Sequence, residues 1–155
     1  MTLHIAEFKL GPHHCALTLD RVQEVLRIVA VTPLPQAPPF IEGVLDLRGH
    51  VLPVVDLRAR FGLPSRPYDD ATHVLVAPLR GHPAALIVDE VLGVSLIDKS
   101  HMGIDPSLEL GLDIRCLSRV VQQEGRLCLV LDLDKIFSEA EGAEFDAAHP
   151  ARRTS

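Results

Sequence analysis

The segment from Phe40 to Leu63 constrains the fold most, because it combines two short apolar runs with a tight connection. The runs Gly43–Arg48 and Val51–Asp56 have strand length, and only Gly49 and His50 separate them. A two-residue connection that begins with glycine is typical of a type II′ hairpin turn. The segment therefore predicts two antiparallel strands that are joined at Gly49–His50.

Side-chain alternation along these strands predicts which face of the hairpin is buried. Pairing across the expected turn sets Leu47 opposite Leu52 and Leu45 opposite Val54. The four side chains then share one face, and we expect that face to line a core. A slip of one residue in the register would move all of them to the other face.

Three short helices are predicted beside the strands. Asp20 can cap the first helix, which places Glu24 away from its apolar stripe. That stripe consists of Val22, Val25 and Leu26. Asp56 can cap a helical turn over residues 57–61, and residues 134–141 can form the third helix.

The second half of the sequence repeats the pattern of the first half. Residues 4–28 align with residues 73–97 at an offset of 69. Residues 54–61 align with residues 130–137 at an offset of 76, which implies an insertion within Asp98–Gly111. The repeat predicts two copies of one β-rich unit, and many short strands at close spacing favour two small barrels.

We expect one domain over residues 1–140, with subdomains at roughly residues 2–66 and 72–138. Because strands can be exchanged between such barrels, the two subdomains are not expected to fold independently. Residues 142–155 are polar and rich in small residues, so they are expected to form a flexible tail. The predicted core of the second barrel contains Leu127, Leu129 and Leu131.

Charge and composition argue against several classes of partner. The net charge is −6, and the sequence contains no Trp and a single Tyr. Nucleic acids bind to basic and aromatic protein surfaces, so we do not expect nucleic acid as a partner. No apolar run approaches the roughly 20 residues that span a bilayer, and the N-terminus does not resemble a signal peptide. Cys15, Cys116 and Cys128 are expected to be reduced core residues. We therefore expect a cytoplasmic protein with no membrane insertion.

Candidate catalytic and metal-binding motifs are sparse. In His13-His14-Cys15, alternation along a strand lets at most His13 and Cys15 converge, and no further ligand spacing completes a metal site. The sequence contains no Gly-x-Ser-x-Gly motif and no phosphate-binding glycine loop. We expect no catalytic residue, no metal site and no cofactor. A small metal-binding or ligand-binding double barrel is kept as a third alternative.

The central segment also carries a family motif. Its residues are Gly43, Val44, Leu47, Arg48, Gly49, Leu52, Pro53, Val54, Val55, Asp56, Leu57 and Arg58. Together with Arg21–Val25 and Ile87–Val91, they resemble the CheW-like domain family of bacterial chemotaxis, and the resemblance extends from Leu3 to about Ser138. It implies an all-β fold of two SH3-like, five-stranded barrels packed side by side with short connecting helices.

The same resemblance implies a function in signal transduction. A CheW-like protein is a non-catalytic adaptor that couples chemoreceptors, the methyl-accepting chemotaxis proteins, to a CheA-type histidine kinase. The expected partners are the regulatory domain of the kinase and the cytoplasmic hairpin tip of the receptor, at membrane-associated receptor arrays. The alternative is a CheW-like adaptor of another chemosensory pathway, one that controls twitching motility or cyclic-dinucleotide levels.

Five residues are predicted to form the protein-binding site: Val22, Glu24, Gly43, Arg48 and Gly49. The resemblance implicates Glu24 and Arg48 in scaffold integrity and partner binding. From the residues alone, Arg48 could be a solvated turn residue, an ion-pair partner or an interface anchor. We predict that Arg48 pairs with Glu24 and thereby braces the first short helix against the hairpin.

Overall fold

The computed structural model describes residues 2–98, 116–123 and 125–148, and these residues form ten strands and a few short helices. The strands are β1 (Thr2–Leu10), β2 (His13–Thr18), β3 (Glu24–Arg27), β4 (Gly43–Leu47), β5 (His50–Asp56), β6 (His73–Leu79), β7 (His82–Val88), β8 (Glu90–Asp98), β9 (Leu117–Gln123) and β10 (Arg126–Leu131). The helices are α1 (Leu57–Arg60) and α2 (Glu139–Ala148), with 3₁₀ turns at Leu19–Arg21 and Leu133–Lys135.

The strands form two five-stranded sheets, which confirms the predicted all-β fold class. The first sheet has the order β8-β1-β2-β10-β9, and the second sheet has the order β3-β6-β7-β5-β4. Each sheet combines the leading hairpin of one sequence repeat with the last three strands of the other repeat. The subdomain limits at residues 2–66 and 72–138 stay a prediction, and the sheets themselves cross that boundary.

Three apolar clusters form the core. The largest contains side chains of both sheets, among them Phe8 and Leu10 of β1 and Leu75 and Leu79 of β6; we call it the inter-sheet core. A second cluster lies within the second sheet around Val54, and a third lies within the first sheet. The third cluster comprises Ile5, Ala16, Ile97, Val121, Cys128 and Val130.

The central hairpin turns one residue earlier than predicted. Leu47 pairs with His50, so the two loop residues are Arg48 and Gly49. Their φ angles are 51° and 86°, and positive φ at both positions defines a type I′ turn rather than a type II′ turn. Asp46 Oδ1 accepts a hydrogen bond of 2.8 Å from the Gly49 amide, which stabilises this turn.

The hairpin faces are as predicted, because the observed pairing keeps the same alternation. Leu45 pairs with Leu52, and both are buried with Val54, while Leu47 is only partly buried. The expectation for β10 is wrong in one place. Leu131 is buried and Leu129 is partly buried, but Leu127 is 63% exposed beside the β9–β10 turn. Cys128 and Val130 occupy the interior face of β10 instead.

The first predicted helix is absent, because this segment forms a 3₁₀ turn at Leu19–Arg21 followed by strand β3. The Gln23 amide donates a hydrogen bond of 2.7 Å to the Val76 carbonyl, and Glu24 pairs with Val76 in the antiparallel ladder between β3 and β6. Hydrogen bonds to a neighbouring strand therefore replace the helical hydrogen bonds that were predicted for this segment.

The C-terminal helix begins and ends later than predicted. Ser138 and Glu141 form a capping box, with hydrogen bonds of 2.9 Å and 3.1 Å between each side chain and the other's amide. Phe145 is fully buried and packs against Phe137 at a ring distance of 5.1 Å. Residues 142–148 of the predicted tail are thus helical. Residues 149–155 and the predicted insertion after Asp98 lie outside the described residues.

The predicted helical turn after β5 is present as α1, which Asp56 caps through a hydrogen bond of 2.9 Å from the Arg58 amide. Arg58 Nη1 lies 2.5 Å from Asp89 Oδ2, and the Gly11 amide donates to the same oxygen at 2.7 Å. The side chains of Arg58 and Asp89 are only 12% and 9% exposed. This buried pair therefore joins α1 and the β1–β2 turn to the junction of β7 and β8.

Within the described residues, neither α1 nor α2 has the length and apolar character of a membrane-spanning helix.

Candidate partner-binding site

The candidate site lies where the two edges of the second sheet approach each other. In the strand order, β3 and β4 are the outermost strands. An isolated bridge connects Thr32 to Val44, with backbone hydrogen bonds of 2.8 Å and 2.9 Å in the two directions. A side-chain contact between Glu24 on β3 and Arg48 in the β4–β5 turn spans the same gap. Both contacts draw the sheet toward a closed barrel.

The predicted ion pair of Glu24 and Arg48 is confirmed. Arg48 Nη2 donates to Glu24 Oε2 at 2.6 Å, and the Arg48 side chain is 68% exposed. This hydrogen bond lowers the pKa of the Glu24 carboxyl and raises the pKa of Arg48. Because Glu24 lies on β3, the pair braces a strand against the hairpin, and not a helix as predicted.

A groove of about 230 Å³ runs beside the ion pair. It is lined by Gln23, Glu24, Leu47, His50, Leu52, Val76 and Pro83. Four of these residues are apolar and three are polar or charged, a mixture that is typical of protein–protein interfaces. Sequence analysis missed Val76 and Pro83, because β6 and β7 come from the other half of the chain. It also missed Gln23 and His50, although each is a sequence neighbour of a predicted site residue, Glu24 or Gly49.

The remaining predicted site residues have separate positions. Gly49 completes the turn next to Arg48, whereas Gly43 lies at the far end of β4. A Cβ atom on Gly43 would lie 2.3 Å from the Thr32 carbonyl oxygen, so only glycine permits the bridge there. Val22 is partly buried against the inter-sheet core. The structure thus brings Glu24, Arg48 and Gly49 together, and it assigns packing contacts to Gly43 and Val22.

A second turn has the same sequence and geometry as the central one. Residues 79–82 repeat the Leu-Arg-Gly-His sequence of residues 47–50, and Arg80 and Gly81 have φ angles of 51° and 82°. Since β5 and β7 pair in parallel, both turns lie at the same end of the second sheet. Arg80 binds Asp146 of α2 through hydrogen bonds of 2.9 Å and 2.6 Å. This repeated tetrapeptide was a signal that sequence analysis could have used.

An apolar stripe is exposed on β8, an edge strand of the first sheet. Leu92, Val94 and Leu96 alternate along it and are 40%, 58% and 54% exposed. Val94 pairs with Ala6, which shares a face of β1 with Phe8 and Leu10 of the inter-sheet core. Val94 therefore lies on the same face of the first sheet as these core residues; we call Leu92, Val94 and Leu96 the β8 stripe.

Potential metal ligands meet at a different place from the one considered in the sequence. Among the described residues, Glu7, His14 and Cys128 place one ligand atom each within 4.8 Å of one another. His14 belongs to the His13-His14-Cys15 run, but His13 and Cys15 do not take part.

Comparison with known proteins identifies the family. The CheW-like domain family matches residues 4–141. "Chemotaxis protein CheW" of Rhizobium meliloti is 31% identical over 136 residues, which cover 86% of both chains. The protein of the same name from Thermotoga maritima is also 31% identical, over 87% of both chains. The crystal structure of the scaffolding protein TtCheW from Thermoanaerobacter tengcongensis matches with a TM-score of 0.79 and 30% identity over 89% of both chains. The chain therefore belongs to the CheW-like family, whose members are non-catalytic scaffold proteins of chemotaxis.

Proposed function

We propose that this chain couples chemoreceptors to a CheA-type histidine kinase and performs no reaction of its own. The observation that carries the proposal is family membership over residues 4–141. A protein that couples two partners needs two separate binding surfaces. The β8 stripe belongs to the first sheet, and the Glu24–Arg48 pair belongs to the second sheet.

The β8 stripe is the proposed surface for the receptor. The cytoplasmic tip of a chemoreceptor is a helical hairpin, and helices commonly bind to grooves through one apolar face. The stripe offers three neighbouring aliphatic side chains that are 40–58% exposed. Val91, on the same strand, packs against the inter-sheet core, so a helix bound to the stripe would lie close to that core.

The groove beside the Glu24–Arg48 pair is the proposed second partner surface. The ion pair holds Arg48 beside the groove at Leu47 and His50. Arginine is enriched at protein interfaces, where its planar group can bind a carboxylate with two hydrogen bonds. We place the protein in the cytoplasm at receptor arrays, where both partners are accessible.

The test compares binding of the purified chain to the kinase regulatory domain and to a receptor hairpin fragment. We expect Arg48→Asn to weaken binding of at least one partner about tenfold or more, while the fold stays intact. The matched control is Arg80→Asn, because Arg80 occupies an identical turn but binds Asp146 of α2 and does not line the groove. Unchanged binding of both partners by Arg48→Asn would exclude Arg48 from the interface.

A second pair of variants tests the β8 stripe. Val94→Thr combined with Leu96→Gln should weaken receptor binding and leave kinase binding unchanged. Leu127→Gln is the control, since Leu127 is at least as exposed but lies on β10. Normal receptor binding by the stripe variant would exclude the β8 stripe as the receptor surface.

The reverse-charge variant, Glu24→Arg with Arg48→Glu, should recover part of the binding that Arg48→Glu loses.

A further inference from the structure

Three side chains of different metal-ligand types converge in the first sheet. Glu7, His14 and Cys128 come from β1, β2 and β10, which are consecutive in the strand order. Cys128 belongs to the interior cluster of this sheet and is fully buried, whereas the side chains of Glu7 and His14 are 11% and 12% exposed. The cluster therefore forms one end of the sheet's interior, and it opens to solvent at Glu7 and His14.

We propose that Glu7, His14 and Cys128 bind a divalent transition-metal ion, with Zn²⁺ as the preferred ion. Zinc accepts thiolate, imidazole and carboxylate ligands and favours four tetrahedral positions, so these residues leave the fourth position for water. A thiolate and a carboxylate together neutralise the charge of a divalent ion. Hard cations such as Mg²⁺ and Ca²⁺ prefer oxygen ligands, and Cys128 disfavours them.

The ligands are already oriented toward one another. His14 Nε2 lies 2.7 Å from Glu7 Oε1, and the Ser95 hydroxyl donates a hydrogen bond to the other carboxylate oxygen of Glu7. Metal-bound carboxylates are commonly held by such a neighbouring donor. In the described part of the chain, the ion-pair partner of Glu7 is His14, whose charge depends on its protonation. A metal ion would give this largely buried carboxylate a permanent counter-charge.

One feature of the site opposes metal binding. Arg126 Nη1 lies 3.5 Å from His14 Nδ1, so its positive charge disfavours a cation nearby. The Cys128 thiol releases its proton to water when the Cys128 Sγ–metal bond forms.

The experiment uses the untagged, reduced, metal-free full-length chain and titrates it with Co²⁺, which replaces Zn²⁺ and is visible by absorption. We expect one Co²⁺ per chain and a thiolate-to-cobalt charge-transfer band, which Zn²⁺ should abolish by displacement. Cys128→Ser should remove the band and weaken binding at least about tenfold. The matched control is Cys15→Ser, because Cys15 is an equally buried cysteine outside the cluster.

His14→Gln and its control His13→Gln give an independent test that does not perturb the buried cysteine. His14→Gln should weaken binding about tenfold or more and keep the charge-transfer band at saturation, whereas His13→Gln should leave both the affinity and the band unchanged. The absence of the band in the wild-type chain, or an identical band in folded Cys128→Ser, would overturn the proposal. So would equal affinity for His14→Gln and His13→Gln. These measurements need no kinase or receptor, so their failure would leave the proposed coupling function untouched.

Discussion

Arg48 combines a turn conformation and a side-chain contact that few residues can provide together. Its φ of 51° is in the left-handed region, where type I′ turns favour Asn or Gly. An arginine there gives up some backbone stability relative to those residues. What it gains is a hydrogen bond to Glu24 across the edges of the second sheet. This balance favours a role for the Arg48 side chain at the surface over a role in forming the turn.

Gly43 should be less tolerant of substitution than Gly49, although both belong to the same motif. A Cβ on Gly43 would collide with Thr32, whereas Gly49 has no neighbouring atom within 4 Å of the added carbon. We expect Gly43→Ala to lower the free energy of unfolding by about 1–3 kcal/mol or more, since it also disturbs the Thr32–Val44 bridge. Gly49→Ala should cost about 1 kcal/mol through its positive φ alone.

Urea unfolding of the two variants provides the measurement. Equal losses for Gly43→Ala and Gly49→Ala would mean that the chain at Thr32 can move away without cost. That result would contradict a specific steric role for Gly43.

At the scale of elements, two leucines that were both predicted to be buried differ in exposure. Leu45 of β4 is 2% exposed, and Leu127 of β10 is 63% exposed. Leu45→Ala should therefore lower the free energy of unfolding by about 2–5 kcal/mol. Leu127→Ala should change it by no more than about 0.5 kcal/mol. Chemical denaturation of both variants checks the faces of the two hairpins, and a large loss for Leu127→Ala would contradict the assignment for β10.

Helix α2 should loosen in acid because of Glu141. The hydrogen bond from Arg60, with a further one from the Ser138 amide, lowers the pKa of Glu141 from 4.5 to about 2. A carboxyl with a lower pKa in the folded state stabilises that state fully above its ordinary pKa. This contribution should be lost as the pH falls from about 4.5 to about 2.

Amide hydrogen exchange in α2, corrected for intrinsic rates, measures this effect across the acid range. Glu141→Gln should show lower protection at neutral pH and a weaker pH dependence below about 4.5 than the wild type. An identical pH dependence in both proteins would show that other carboxyls control the docking of α2.

Elements were predictable where a local signal was sufficient. The turn dipeptide Gly11-Pro12 indicated the β1–β2 hairpin, and the segment around Gly49 indicated the β4–β5 hairpin. Asp56 indicated the start of α1. The segment at Glu24 was wrongly predicted to be helical, because its pairing partner β6 is far away in the sequence. The Glu24–Arg48 contact was predicted from charge and family resemblance. The groove beside it depends on β6 and β7, so no local pattern contained it.

At the scale of the whole molecule, the repeat predicted two equivalent units but not how they combine. Both halves of the sequence supply strands to both sheets. The first sheet takes β1 and β2 from the first repeat, and the second sheet takes β6 and β7 from the second repeat. Hydrophobic patterns are the same whether a hairpin completes its own unit or the other one, so the sequence alone does not distinguish these arrangements.

Two fragments, residues 1–66 and 67–155, should therefore fold together but not alone. The first fragment would lack β8 and β10 beside β1 and β2, and it would lack β6 and β7 between β3 and β5. Circular dichroism should show no cooperative thermal unfolding for either fragment and a cooperative transition for their equimolar mixture. Cooperative unfolding of one fragment alone would show that the exchanged strands are not needed for stability.

The exchange of strands also has a consequence for protein synthesis. A nascent chain leaves the ribosome from its N-terminus, but β2 has β10 as a neighbour in the sheet, and β10 ends at Leu131. The β1–β2 hairpin therefore lacks a neighbouring strand until most of the chain has been synthesised. Until then its apolar residues, such as Ile5, Phe8 and Leu17, lack their final neighbours. Transiently exposed apolar surface and unpaired strand edges promote aggregation. The yield of folded protein in the cell should consequently depend on chaperones that bind the chain during translation.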